Sequence, residues 1–130
     1  MMICLDPTGT RVAHGDQQGV LSVCRKTPDQ VIWCHCQPMA ITSVAWSWDG
    51  AYLASGDEEG TIRLWEAQTG VLLSTARGHQ GAVAHLAWSP TAYLLASSAG
   101  EETVLRLWDY AALLRATGEQ AEAEKKGHSQ

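Results

Sequence analysis

Similar stretches recur along this chain at a step of 41 to 43 residues, and a repeat of that length constrains the fold more than composition does. Laying "LDPTGTRVAHGDQQG" (5–19) on "WSWDGAYLASGDEEG" (46–60) puts Gly9, Gly15 and Gly19 on Gly50, Gly56 and Gly60, each 41 residues on. The next copy shifts by 42, carrying Trp46, Ser47, Leu53, Ala54 and Ser55 onto Trp88, Ser89, Leu95, Ala96 and Ser97. By the end of the unit the shift is 43, with Arg63-Leu64-Trp65 falling on Arg106-Leu107-Trp108. One extra residue therefore sits between Ser98 and Val104, in a turn.

Each copy divides alike. "ITSVAW" (41–46) and "AVAHLAW" (82–88) alternate as strands do. Asp6-Pro7-Thr8-Gly9, Ser47-Trp48-Asp49-Gly50 and Ser89-Pro90-Thr91-Ala92 then supply type I turn residues. A second strand ("AYLASG"), a turn at Asp57-Glu58-Glu59-Gly60 and a third strand ("TIRLW") follow. After a loop containing Gly70 comes a fourth, "VLLSTA", whose place in the first copy is taken by "VIWCHC" (31–36). Four antiparallel strands in about 42 residues make one blade of a β-propeller. Apolar residues on both faces, such as Leu64 with Trp65, suit a blade sandwiched between two neighbours.

The expected fold is all-β: a partial, open β-propeller of three four-stranded antiparallel blades. Residues 1–36 form an N-terminally clipped first blade, 37–77 the second and 78–117 the third, with Ala112 to Thr117 as its last strand. Residues 118–130 are a polar linker leading to the start of a next repeat at Gly127-His128, and Gly118 to Lys126 is helical or disordered.

These residues resemble WD40 repeats over residues 1 to about 118. The family reads a blade from a Gly-His pair, through a Ser-Pro-Asp-Gly-like turn and "LASGS", to a Trp-Asp pair. Gly78-His79 and Trp108-Asp109 bracket the third unit in that way, and Trp65-Glu66 is a softened Trp-Asp in the second. The first unit carries Cys24-Arg25 there, and Cys36-Gln37 stands where the second would carry Gly-His. The resemblance implies a structural hydrogen-bond network joining His, Ser or Thr, Asp and Trp within a blade. By position it falls on His79, Ser97 and Trp108 with Glu101 or Glu102 as the acid. In the second unit it falls on Ser55, Glu59 and Trp65 with Gln37 in place of His. The first unit offers His14 and Gln18.

Composition bears on partners. Nine Lys and Arg stand against fourteen Asp and Glu, a formal charge of −5, which argues against a phosphate-tracking nucleic-acid binder. No apolar run approaches the roughly 20 residues of a membrane span. Met1 to Leu5 meets Asp6-Pro7 at once, so no signal-peptide apolar region fits and a cytoplasmic location is expected. The four cysteines, Cys4, Cys24, Cys34 and Cys36, then read as small buried hydrophobes. Six tryptophans with no phenylalanine place indoles at recurring positions.

Candidate chemistry is thin. Trp33-Cys34-His35-Cys36 has metal-ligand residue types, but no second Cys/His set follows. On a strand the two cysteines point one way and the histidine the other, so buried strand residues are the better account. His14 with Asp16, or His79 and His85 with nearby serines, lack any nucleophile elbow. No cofactor is expected, and no catalysis. The acid pairs Glu58-Glu59 and Glu101-Glu102 offer a negative rim to a basic peptide, or are simply solvated. Trp48 replaces the turn proline of the other copies, Pro7 and Pro90. It is a partner contact or packs on a neighbouring loop.

What the resemblance implies is a non-catalytic scaffold for protein–protein contacts. Three blades form an open wedge, so the chain is expected to belong to a larger propeller or one completed by oligomerisation, a face-to-face homodimer giving six blades. Two other readings stay open: a propeller enzyme or ligand-sensing module whose site lies in missing blades, and a truncated product without independent activity.

Overall fold

The computed structural model describes residues 2–26, 29–100 and 105–109. These contain eleven strands in three antiparallel sheets. The first holds β1 (Met2–Leu5), β2 (Arg11–Gly15), β3 (Val20–Arg25) and β4 (Gln30–Cys36), in that spatial order. The second runs β5 (Ile41–Trp46), β6 (Tyr52–Asp57), β7 (Thr61–Glu66) and β8 (Leu72–Arg77). The third contains β9 (Val83–Trp88), β10 (Leu94–Ala99) and β11 (Arg106–Asp109). The expected strand over Ala112 to Thr117, the segment Gly118 to Lys126, and Glu101 and Glu102 lie outside the described residues. Among the described residues, no helix is long and apolar enough to cross a membrane.

The repeat in sequence is a repeat in register. Leu5, Trp46 and Trp88 pair with Val12, Leu53 and Leu95 at the same rung of each inner hairpin. The first turns close alike: Gly9 donates its N–H to the Asp6 carbonyl and Gly50 to the Ser47 carbonyl, with φ of 75° and 76°. Left-handed backbone of that kind favours glycine. The next turns are held by an aspartate. Asp57 Oδ1 accepts the N–H groups of Glu59 and Thr61 at 2.9 and 3.1 Å, as Asp16 Oδ1 accepts those of Gln18 and Val20.

Alternation along each strand then gives every sheet two faces, and the cores lie between sheets. Ala13, Leu21 and Val23 of the first pack on Val44, Trp46, Leu53 and Trp65 of the second. From the opposite face of the second sheet, Ala54, Ile62 and Leu64 pack on Val83, Leu95 and Trp108 of the third. The sheets approach closely where the inner hairpin carries glycine. A Cβ on Gly56 would lie 2.6 Å from Val83, and Gly15 meets Ile41 in the same way. The three sheets form an open, unclosed stack of propeller blades.

Candidate functional site: blade joints and the turn rim

Ser97 is a buried node in the third blade. Its Oγ lies 2.8 Å from His79 Nε2 and accepts the Trp108 indole N–H at 3.0 Å. The second blade has half of this arrangement, Trp65 donating to Ser55 Oγ at 3.0 Å. Glu59 does not join it. Its side chain is about half exposed and 4.0 Å from Arg77 across the turn. The buried acid is Asp57, whose Oδ2 lies 3.0 Å from Arg63 Nη1. The reason is geometric: Asp57 starts the turn with its carboxylate folded over the following N–H groups, while Glu59 stands at the solvent side of the hairpin. Gln37 contributes its backbone N–H to the Gly19 carbonyl at 2.7 Å. In the first blade His14 is half-buried and Gln18 is exposed.

A second set of indole bonds joins the blades. Trp46, ending the inner strand of the second blade, donates to the Cys4 carbonyl of the first at 2.9 Å. Trp88 does the same to the Ala45 carbonyl at 3.0 Å. Both bonds link corresponding positions one blade apart. The first joint is further reinforced from outside. Trp33 of β4 donates to the Ala67 carbonyl at 2.7 Å, His35 Nε2 lies 2.8 Å from the Gly70 carbonyl, and both rings stack on Trp65. Arg11 bridges the same joint at the turn end. Its guanidinium binds Asp6 Oδ2 at 3.0 Å and the Gly50 carbonyl at 2.9 Å, over the Trp46 ring.

The reading of "VIWCHC" as buried strand residues needs correcting. Trp33 is buried, but Cys34, His35 and Cys36 are exposed, because β4 is the outermost strand of its sheet. Cys4 and Cys24 are half-buried and all four thiols are free. Among the described residues no group of three or more His, Cys, Asp or Glu is placed to hold a metal.

On the turn rim, Trp48 is 45% exposed and lies 6.0 Å, ring to ring, from Tyr93 of the third blade. Tyr93 donates its hydroxyl to Asp49 Oδ2 and meets Tyr52 edge-on at 5.2 Å. Beside them opens an apolar groove of about 500 Å³, lined by Leu5, Pro7, Trp46, Trp48, Trp88 and Pro90 among others. Glu58 and Glu59 are exposed at the opposite end of the blade.

Two carboxylates at the a-to-b turns, between the first and second strand of a blade, hold their charge firmly. Burial works against ionisation of Asp6, but the Arg11 N–H and guanidinium, Thr8 and Thr10 outweigh it and lower its pKa. For Asp49 partial desolvation is likewise outweighed, here by the Tyr93 hydroxyl, the Ala51 N–H and Ser47. Burial raises the pKa of the Cys4 thiol and favours its protonated form.

The tryptophan joints were missed by sequence reasoning because their acceptors are backbone carbonyls, which leave no mark in a sequence. The recurrence of Trp46 at Trp88 was the available signal. For Arg11 and Tyr93 there was none.

Stacked antiparallel blades, two of four strands and a third with three strands among the described residues, with indoles bonded across their joints and a solvent-facing turn rim, define a β-propeller of the WD-repeat class. Residues 4–91 match the family described as the anaphase-promoting complex subunit 4 WD40 domain, and the chain belongs to this WD40 family. It is 38% identical over 58 residues to a WD repeat-containing protein 26 homolog of Arabidopsis thaliana, covering 45% of this chain and 10% of that protein. It is 35% identical over 83 residues to nuclear distribution protein PAC1 of Gibberella zeae, covering 63% and 18%. It is also 35% identical over 60 residues to GID complex subunit 7 of Schizosaccharomyces pombe, covering 46% and 12%. The chain thus spans less than a fifth of each of these curated relatives. In fold it superposes on the WD40 repeats of RRP9 with a TM-score of 0.79 at 24% identity, covering 85% of this chain and 35% of that one.

Proposed function

We propose that the chain is a non-catalytic, cytoplasmic scaffold segment that contacts protein partners through its turn rim, within a propeller completed by further blades. The single observation that carries this reading is the Trp48–Tyr93 patch. A turn indole stands 45% exposed, braced by a tyrosine of the next blade, beside an apolar groove. Exposed tryptophan and tyrosine on a rigid support are the residue types in which interface energy concentrates. Relatives named as subunits of multiprotein complexes, GID complex subunit 7 and anaphase-promoting complex subunit cdc20, support the same role.

The test is quantitative affinity purification of the tagged chain, wild type against Trp48→Ala and Tyr93→Ala. A stoichiometric protein partner retained by wild type and lost by both variants is the expected result. Retention that ignores both substitutions, or the absence of any stoichiometric protein, would overturn the assignment to this rim.

A further inference from the structure

The chain already contains one guanidinium site, and it shows how such a site is built here. Arg11 lies over the Trp46 ring at 4.7 Å and binds Asp6 Oδ2 at 3.0 Å and the Gly50 carbonyl at 2.9 Å. An indole face beside a carboxylate suits a planar, weakly hydrated cation. Trp48 and Asp49, in the turn whose Gly50 carbonyl Arg11 holds, bring the same two groups together again, and both are exposed. Among the described residues no lysine or arginine lies over Trp48 or forms an ion pair with Asp49.

The turn does not need this pair to form. At the same two positions the first blade carries Pro7-Thr8 and the third Pro90-Thr91. Proline presets a turn there, and tryptophan does not. Asp49 also has acceptor capacity to spare. Its Oδ1 accepts the Ser47 hydroxyl and the Ala51 N–H, and its Oδ2 accepts the Tyr93 hydroxyl from the next blade. A carboxylate offers about four acceptor sites, so these three bonds leave one for a donor from outside.

Two cavities are walled by this turn. One is the apolar groove that includes Ser47 and Trp48. The other is a hollow of about 300 Å³ lined by Arg11, Asp49, Tyr52, Glu66 and Gln68 among others. Arg11 is paired with Asp6, so Asp49 and Glu66 leave the hollow negative. A ligand lying across the turn therefore meets apolar surface at one end and carboxylates at the other, with an indole between.

From these contacts we infer that the turn is a docking site for an arginine of a partner segment, its guanidinium on Trp48 and bonded to Asp49, with apolar neighbours of that arginine in the groove. The inference rests on the rim reading above and names the chemistry of the partner: a basic segment with apolar residues beside its arginine.

Short peptides test this on the full-length chain without any cellular partner. The probe is the acetylated, amidated peptide LLGR, with leucines for the groove and a glycine to cross the turn. Its control carries citrulline, which keeps the shape of arginine and removes the charge. Binding is followed through the Trp48 indole resonance in proton–nitrogen correlation spectra, assigned by its loss in Trp48→Phe. LLGR should bind about tenfold more tightly than the citrulline peptide, as expected for charge-assisted bonds. Asp49→Asn should abolish that preference, with circular dichroism confirming the fold. Glu66→Gln, which leaves the hydrogen bonds of Asp49 in place, serves where Asp49→Asn unfolds the chain and should narrow the preference. Equal affinities for the two peptides would overturn the inference while leaving the rim a surface for apolar segments. A preference that survives both carboxylate substitutions would overturn it too. So would a Trp48 resonance unmoved by either peptide at millimolar concentration, and the affinity purification above would then judge the rim reading by itself.

Discussion

Trp33 spans a blade joint to reach Ala67, its indole N–H meeting a buried carbonyl 2.7 Å away while its ring stacks on Trp65. The bond ties the outermost strand of one blade to the last loop of the next. Trp33→Ala should cost about 3–5 kcal/mol in urea unfolding through the cavity it leaves. Trp33→Phe keeps most of the packing and orphans the carbonyl, a loss of about 1–3 kcal/mol. A Trp33→Phe variant as stable as wild type would show that the hydrogen bond contributes nothing.

Ser97 serves two ring nitrogens where Ser55 serves Trp65. Ser97→Ala leaves both the His79 and Trp108 nitrogens facing an apolar methyl. It should destabilise more than Ser55→Ala, by about 1–2 kcal/mol on the usual cost of an unmet buried group. Matched chemical denaturation of the two variants measures the difference.

Asp6 and Asp49 have folded-state pKa values below their ordinary ones. Their contribution to stability is therefore complete above the unfolded carboxylate pKa of about 3.9, and is lost as pH falls through the lower folded values. Melting temperature should drop on acidification in that window. Asp6→Asn should lower it at neutral pH and flatten the acid limb. An acid limb as steep as in wild type would place the titration elsewhere.

Gly56 is constrained by the neighbour blade rather than by its own backbone, since a Cβ there would lie 2.6 Å from Val83. Gly56→Ala should cost about 1–3 kcal/mol by overpacking. Adding Val83→Ala should recover part of that loss, giving a favourable coupling in a double-mutant cycle. Strictly additive effects would mean that the joint has slack.

The blade unit was legible because its period survives in glycines and tryptophans that no other residue replaces cheaply. Gly9 and Gly50 close turns with left-handed backbone, and Trp46 and Trp88 recur at one rung. The exposure of Trp48 could be anticipated from its place in a turn. Side-chain reach was harder to read. Asp57 and Glu59 are two residues apart in one turn, and only the folded hairpin shows that the shorter acid turns inward. Cys34 and Cys36 look like core residues in composition, yet an outermost strand leaves them in solvent. Joints between blades depend on backbone carbonyls such as those of Cys4, Ala45 and Ala67, which every residue carries.

The indole bonds between inner strands also set how this chain comes apart. Trp46 reaches back 42 residues and Trp88 reaches back 43, and the longest side-chain hydrogen bond among the described residues, from Tyr93 to Asp49, spans 44. Among the described residues, these side-chain hydrogen bonds join each blade to its nearest neighbour. A chain wired in this way behaves as a one-dimensional array, opening from its ends inward. Hydrogen exchange should grade accordingly, slowest in β6 and β7, which are walled on both sides, and faster in β1 and β11.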